Sequence, residues 1–166
     1  MAQGVARNYL AAVRTDNTLV DGWNPNANNI VYTLARTGNA TFAGGRFSTL
    51  NGGTTPRNLI AGMDDNGAVL SFDANVTGSA ISAIEIGASV LAGGDAAVGE
   101  TSEYGLLAFG ASKKNDDPPF SWEAVPRFLN GGSWSVSTLA MNPANNKVYA
   151  GGFFDYAGDR LQPNPT

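Results

Sequence analysis

Cysteine and histidine are both missing from these 166 residues. Without cysteine there are no disulfides, no thiolate nucleophile and no thiolate metal site, while the redox compartment stays open. Without histidine the chain lacks the commonest general base and the commonest transition-metal ligand. Charge is sparse as well: 14% of the residues are charged, against about a quarter in an average domain. The arginines Arg7, Arg14, Arg36, Arg46, Arg57, Arg127 and Arg160 are dispersed, and the net charge is −4. Neither a basic groove that tracks phosphates nor a nucleic-acid partner is therefore expected. No run approaches the roughly 18 apolar residues of a membrane span, so no membrane insertion is expected. The opening residues Met1-Ala2-Gln3-Gly4-Val5-Ala6 lack the charged and apolar regions of a signal peptide.

What the chain has instead is glycine, 21 residues of it, and a neutral polar surface rich in Asn, Thr and Ser. A glycine pair closes an apolar stretch three times: Ala43-Gly44-Gly45, Ala92-Gly93-Gly94 and Ala150-Gly151-Gly152. Gly44 and Gly93 are 49 residues apart, and Gly93 and Gly151 are 58 apart. Other landmarks keep that phase. Arg7-Asn8-Tyr9-Leu10-Ala11 is echoed by Arg57-Asn58-Leu59-Ile60-Ala61, and Tyr104-Gly105-Leu106-Leu107-Ala108 holds the same place without Arg-Asn. Trp23, Phe72 and Phe128 form an aromatic series. Self-similarity at this period means one supersecondary unit built repeatedly, each burying its apolar face on the next. Three units are read, 7–56, 57–103 and 104–166, within a single repeat domain 1–166. The third is lengthened by an insertion around 113–126.

Inside a unit the apolar period is two, as in Val31-Tyr32-Thr33-Leu34-Ala35, and turn residues such as Gly38-Asn39 and Asn66-Gly67 fall between. No sustained helical stripe is present. The pattern predicts an all-β chain, with about four short antiparallel strands per unit: Tyr9–Arg14, Thr18–Trp23, Ile30–Thr37 and Ala40–Gly44 in the first. Repeated four-strand units with a glycine or aromatic signature suggest propeller blades. In that setting a glycine pair lets a strand bulge or approach a neighbouring backbone. The aromatic after it, Phe47 or Phe153, is expected to pack between blades.

At these residues the chain resembles a bacterial tandem β-propeller repeat family, the delta-sixty type repeats. The first unit carries the likeness through Asn8, Leu10-Ala11, Trp23-Asn24-Pro25, Val31, Leu34, Gly44-Gly45-Arg46-Phe47 and Asn51-Gly52. The second keeps Asn58-Leu59, Asn66-Gly67, Phe72-Asp73 and Gly93-Gly94, but has Asp95-Ala96 where an aromatic is expected. The third keeps Gly151-Gly152-Phe153-Phe154 and Gly158. The resemblance implies a propeller or propeller-like array. Three units are expected to form three blades, and because propellers typically close with four to eight blades, the array is expected to be closed by oligomerisation or to be part of a longer propeller. The resemblance implies no activity, because such repeats occur mostly in large secreted or surface proteins of unassigned role.

Carboxylates are the remaining acids for chemistry. Asp64-Asp65-Asn66 and Asn115-Asp116-Asp117 are oxygen-rich turns, so Asp64, Asp65, Asp116 and Asp117 are weak Ca²⁺ candidates. Neither has the spaced Asp series with a distal Glu, and Asp64-Asp65-Asn66-Gly67 suits an ordinary hairpin turn. Glu85, Glu100, Glu103 and Glu123 lie in no motif that would pair two of them for glycoside hydrolysis. Among the aromatics, Trp23 falls on a core position, while Phe120 and Trp122 lie in the insertion and are the candidates for ligand or partner contact. The expectation is a non-enzymatic structural or interaction module of an extracellular, cell-surface or virion-type assembly, with no cofactor beyond a candidate Ca²⁺. Protein partners or self-association are expected. The rival readings are a carbohydrate-binding adhesin module, with a glycan as ligand, and a fragment of a propeller hydrolase or lyase.

Overall fold

The computed structural model describes residues 4–87, 89–98, 105–110, 127–129, 135–142, 144–145, 147–154 and 156–158. Its strands in chain order are β1 (Val31–Thr37), β2 (Ala40–Gly45), β3 (Thr49–Leu50), β4 (Thr55–Pro56), β5 (Ile60–Asp64) and β6 (Val76–Ile86). They continue with β7 (Val90–Val98), β8 (Leu106–Phe109), β9 (Arg127–Leu129), β10 (Ser135–Asn142), β11 (Lys147–Phe153) and β12 (Tyr156–Gly158). One 3-10 turn, Asn51–Gly53, is the only helical piece among the described residues. The fold is all-β. Two sheets have three strands, β1-β2-β5 and β6-β7-β8, and β10-β11, β3-β4 and β9-β12 form two-stranded pairs. Every pairing is antiparallel, and the described strands do not close into a ring.

The three glycine pairs occupy one structural position. In each hairpin they face a bulge, where one residue of the opposite strand is left over. Val31 pairs with Gly45 and Thr33 with Gly44, leaving Tyr32 between them. Ile81 pairs with Gly94 and Ala83 with Gly93, and Val136 pairs with Gly152 and Thr138 with Gly151. A bulge bends the strand and brings its backbone inward. A Cβ on Gly45, Gly94 or Gly152 would collide with the carbonyl oxygens of Ile30, Ala80 and Ser135, respectively. The second glycine is thus required by the close approach of a backbone that cannot yield.

The sheets straddle the sequence units. β5 lies in the second unit, yet it completes the sheet begun by β1 and β2 of the first. The Gly45 N–H donates to the Leu59 carbonyl at 2.9 Å, and the Gly94 N–H donates to the Gly105 carbonyl at 3.0 Å, so β8 repeats the role of β5. The expected grouping of four strands from one unit therefore does not hold. Residues 9–14 and 18–23 are joined by a single bridge, Val13 to Leu19, and lie outside the β1-β2-β5 sheet. Their counterpart in the next unit is the bridge from Met63 to Val69.

Packing runs from sheet to sheet. Phe42, Phe72 and Phe109 meet edge to face, with centroids 5.2 and 6.0 Å apart, in a cluster that includes Ile60, Ile81, Ile84 and Val90. A second cluster gathers Leu10, Trp23, Ala43, Phe47, Leu50 and Met63. In the third, Leu106 and Val136 are buried, with Leu139, Ala150 and Phe154 against them. Trp23 is a core residue as expected, its indole N–H donating to the Asp64 carbonyl at 3.2 Å. Phe47 is buried, but Phe153 is exposed, against expectation. The pairing explains the difference. Gly152 matches Gly45, so Phe153 falls on the position of exposed Arg46 and Phe154 on that of Phe47.

The Arg-Asn motif is a latch. Arg57 donates to the Leu70 carbonyl at 2.9 Å and to the Pro56 carbonyl at 2.7 Å, and it pairs with Asp73 at 3.5 Å. Arg7 repeats this with the carbonyls of Asp21, at 2.8 Å, and Ala6, at 3.0 Å. Each arginine ties the start of its unit to the segment just before the recurring aromatic, Trp23 or Phe72. Both are structural positions.

Candidate functional site

The repeat makes equivalent positions comparable, and the comparison isolates two unmatched faces. On the third-strand position of the sheets, Met63 and Phe109 are 0% exposed, whereas their counterpart Val13 is 69% exposed. On the second-strand position, Phe42 and Leu91 are 0% and 3% exposed, whereas Tyr149 is 57% exposed. On the first-strand position, Ile84 is 7% exposed and Leu34 is 53% exposed. Each exposed residue sits at an end of the array, where the neighbour that covers its counterparts is not supplied by the described chain.

The internal joints show what that neighbour contributes. A Cβ on Gly44 would lie 2.5 Å from the Ile81 Cγ2 and 3.1 Å from the Ile84 Cδ1 of the following sheet. A Cβ on Gly93 would lie 2.6 Å from the Val136 Cγ1 and 3.4 Å from the Leu139 Cδ1. The first glycine of each pair is thus a socket for two aliphatic side chains of the next hairpin. At the first joint the Ile84 N–H also donates to the Thr33 hydroxyl at 3.3 Å. Gly151 is the third socket, and among the described residues only Thr138, on its own hairpin, approaches it.

The second surface feature is an open groove of about 530 Å³ beside the first joint. Asn29, Arg46, Ser48, Asn58, Thr77 and Ser79 line it, with apolar floor from Phe47, Leu59 and Val76. It offers hydroxyls, amides and one guanidinium. Among the described residues no carboxylate lines it.

The Asp64 turn is internally satisfied. Asp64 Oδ1 accepts the N–H groups of Asn66 and Ala68 at 2.9 and 2.8 Å, and Asp65 Oδ1 accepts from Arg36 at 2.6 Å. That is an Asx turn with a flanking ion pair. Among the described residues no group of three or more acidic side chains is arranged to hold a metal. Asp116, Asp117, Phe120 and Trp122 lie outside the described residues, as do Glu100, Glu103 and Glu123. Sequence reasoning did not single out Val13 and Leu34. Their signal is positional, and it becomes visible only when the strand register aligns them with buried counterparts. Comparison with known proteins finds no matching family model, no matching curated protein and no matching solved structure.

Proposed function

We propose that the chain is a propeller-repeat module of the delta-sixty type it resembles, acting without catalysis as a scaffold and interaction surface. Its setting is an extracellular, cell-surface or virion-type assembly. The observation that carries this is the pair of end faces: Val13 and Leu34 at one end and Tyr149 at the other are exposed where the repeat elsewhere buries them. Exposed apolar faces and open strand edges are liabilities for a free chain and assets for one that docks. In the blade reading, β1-β2-β5 and β6-β7-β8 are successive blades, and β10-β11 begins a third. Few charges and a neutral polar surface fit this setting.

The test is a variant carrying Leu34→Glu and Tyr149→Glu. Both side chains are exposed, so the variant should keep the β-sheet circular dichroism and cooperative unfolding of the wild type while losing its protein association. Turnover of a polysaccharide panel that a single carboxylate substitution such as Glu85→Gln abolishes would instead make the chain an enzyme. Glycan retention lost on Trp122→Ala would make it a carbohydrate-binding module.

A further inference from the structure

We infer that residues 9–14 of a second copy add to the free edge of β11 as its third strand, joining copies head to tail. This rests on the interaction-module reading above and names the partner of its end faces. Among the described residues β11 pairs only with β10, although its counterparts β2 and β7 each carry a third strand, β5 or β8. Residues 9–14 are the converse. They repeat the β5 segment in sequence and in local bonding, but among the described residues no first and second strand lie beside them.

The local match is detailed. The Leu10 N–H donates to the Asn8 carbonyl at 2.8 Å, as the Ile60 N–H donates to the Asn58 carbonyl at 2.7 Å. Tyr9 and Leu59 share a left-handed backbone, with φ of 61° and 63°, and Gly105 takes the same position at φ 98°. The Arg14 N–H donates to the Thr18 carbonyl at 2.8 Å, and the Asp64 N–H to the Ala68 carbonyl at 2.9 Å. Leu10 is buried on the sheet that follows it, as are Ile60 and Leu106 on theirs. The segment is already held where a third strand belongs. Among the described residues it has no hairpin to pair with, and β10-β11 has no third strand.

The register follows from the two joints the chain already builds. Gly44 pairs with Ile60 and Gly93 with Leu106, so Gly151 of one copy pairs with Leu10 of the next. Phe42 pairs with Gly62 and Leu91 with Ala108, which places Tyr149 opposite Ala12. Lys147 and Arg14 then close the pairing, like Ala40 and Asp64. The same placement sets Val31 and Leu34 over the Gly151 socket, as Ile81 and Ile84 stand over Gly44. It sets the Thr138 hydroxyl to accept from the Leu34 N–H, as Thr33 accepts from Ile84. One operation covers Val13, Leu34 and Tyr149 together. The contact is heterologous, so two copies close a ring or many extend a filament. The added strand supplies main-chain hydrogen bonds, and the socket residues fix its register.

Cysteine pairs test this cleanly, because the chain has no cysteine of its own. The Gly45–Leu59 hydrogen bond makes Phe42–Gly62, and hence Tyr149–Ala12, a non-hydrogen-bonded pair. Its Cα atoms lie about 4.5 Å apart, within disulfide reach. Chains carrying Ala12→Cys and Tyr149→Cys are mixed and oxidised. The mixed disulfide should dominate over both symmetric ones, and Leu34→Glu in both chains should abolish it. A mixture with no excess of the mixed disulfide would overturn the proposal. So would a wild-type chain of 17.2 kDa at every concentration by light scattering, whatever other protein its end faces bind. Polysaccharide turnover or glycan retention would overturn the interaction-module reading itself and leaves a distinct signature, since neither depends on the mixed disulfide.

Discussion

The Ile81 Cγ2 stands in the space that a Cβ on Gly44 would need, 2.5 Å from where that atom would be. Val136 holds the same relation to Gly93 one unit later. The glycine pair is therefore two devices in sequence: a socket for the next sheet, then a backbone contact across a bulge. The first makes the array, and the second shapes the hairpin.

The sockets separate by substitution. Gly44→Ala and Gly93→Ala push a methyl into a packed side chain from another sheet, an overpacking worth about 1–3 kcal/mol. Among the described residues Gly151→Ala meets only the Thr138 Cγ2, at 2.9 Å, on a side chain that can turn. In urea unfolding monitored on a dilute, unassociated chain, the first two should lose stability clearly and the third much less. Equal losses at all three would contradict the socket assignment.

The second glycines should behave alike. Gly45, Gly94 and Gly152 each face a backbone carbonyl across the bulge, so alanine at any of them should destabilise its hairpin. Hydrogen exchange resolves this locally. Protection should fall first in the hairpin that carries the substitution, including β10-β11 for Gly152→Ala.

The two kinds of ion pair differ in worth. Arg57 is largely buried and bonded to two carbonyls and Asp73, so Arg57→Ala should cost about 2 kcal/mol. Arg36 and Asp65 are about half exposed, and Arg36→Ala should change stability by under about 1 kcal/mol. Thermal unfolding of the two variants side by side checks the order.

Acid sensitivity has a local source at Asp16. Hydrogen bonds from the Thr18 hydroxyl and the Thr18 N–H hold its carboxyl below the ordinary 3.8. A group whose pKa falls on folding stabilises the fold above its unfolded pKa, and that contribution is lost as pH falls through the folded value. Asp16→Asn should therefore flatten the acid limb of the stability profile and leave the neutral-to-basic side unchanged in shape. NMR titration of Asp16 should give a midpoint below that of an unstructured peptide.

Calcium should not act through the Asp64 turn, since its carboxylates already serve backbone amides and Arg36. Any shift of the unfolding temperature on adding Ca²⁺ should be the same in wild type and in Asp65→Asn. A shift lost in that variant would place an ion at this turn.

Much of the fold was legible in the residues because it is local. Period-two alternation marks β1, and the recurring glycine pairs mark the hairpins. The aromatic at Trp23 and Phe72 marks the core. What was not legible is non-local. Nothing within the first unit says that β2 takes its third strand from residues 60–64 of the next. The same gap hid the faces at Val13 and Leu34, which look like ordinary strand residues until pairing aligns them with Met63 and Ile84. Phe153 is a related case: in the sequence it is the aromatic nearest the glycines, while the register assigns the packed place to Phe154.

Sedimentation velocity of the wild-type chain beside Leu34→Glu tests the central claim most directly. Complementary ends predict a wild-type mass that is a multiple of 17.2 kDa and falls to that value in the variant. A wild-type chain that sediments as 17.2 kDa throughout a dilution series, indistinguishable from Leu34→Glu, would contradict it.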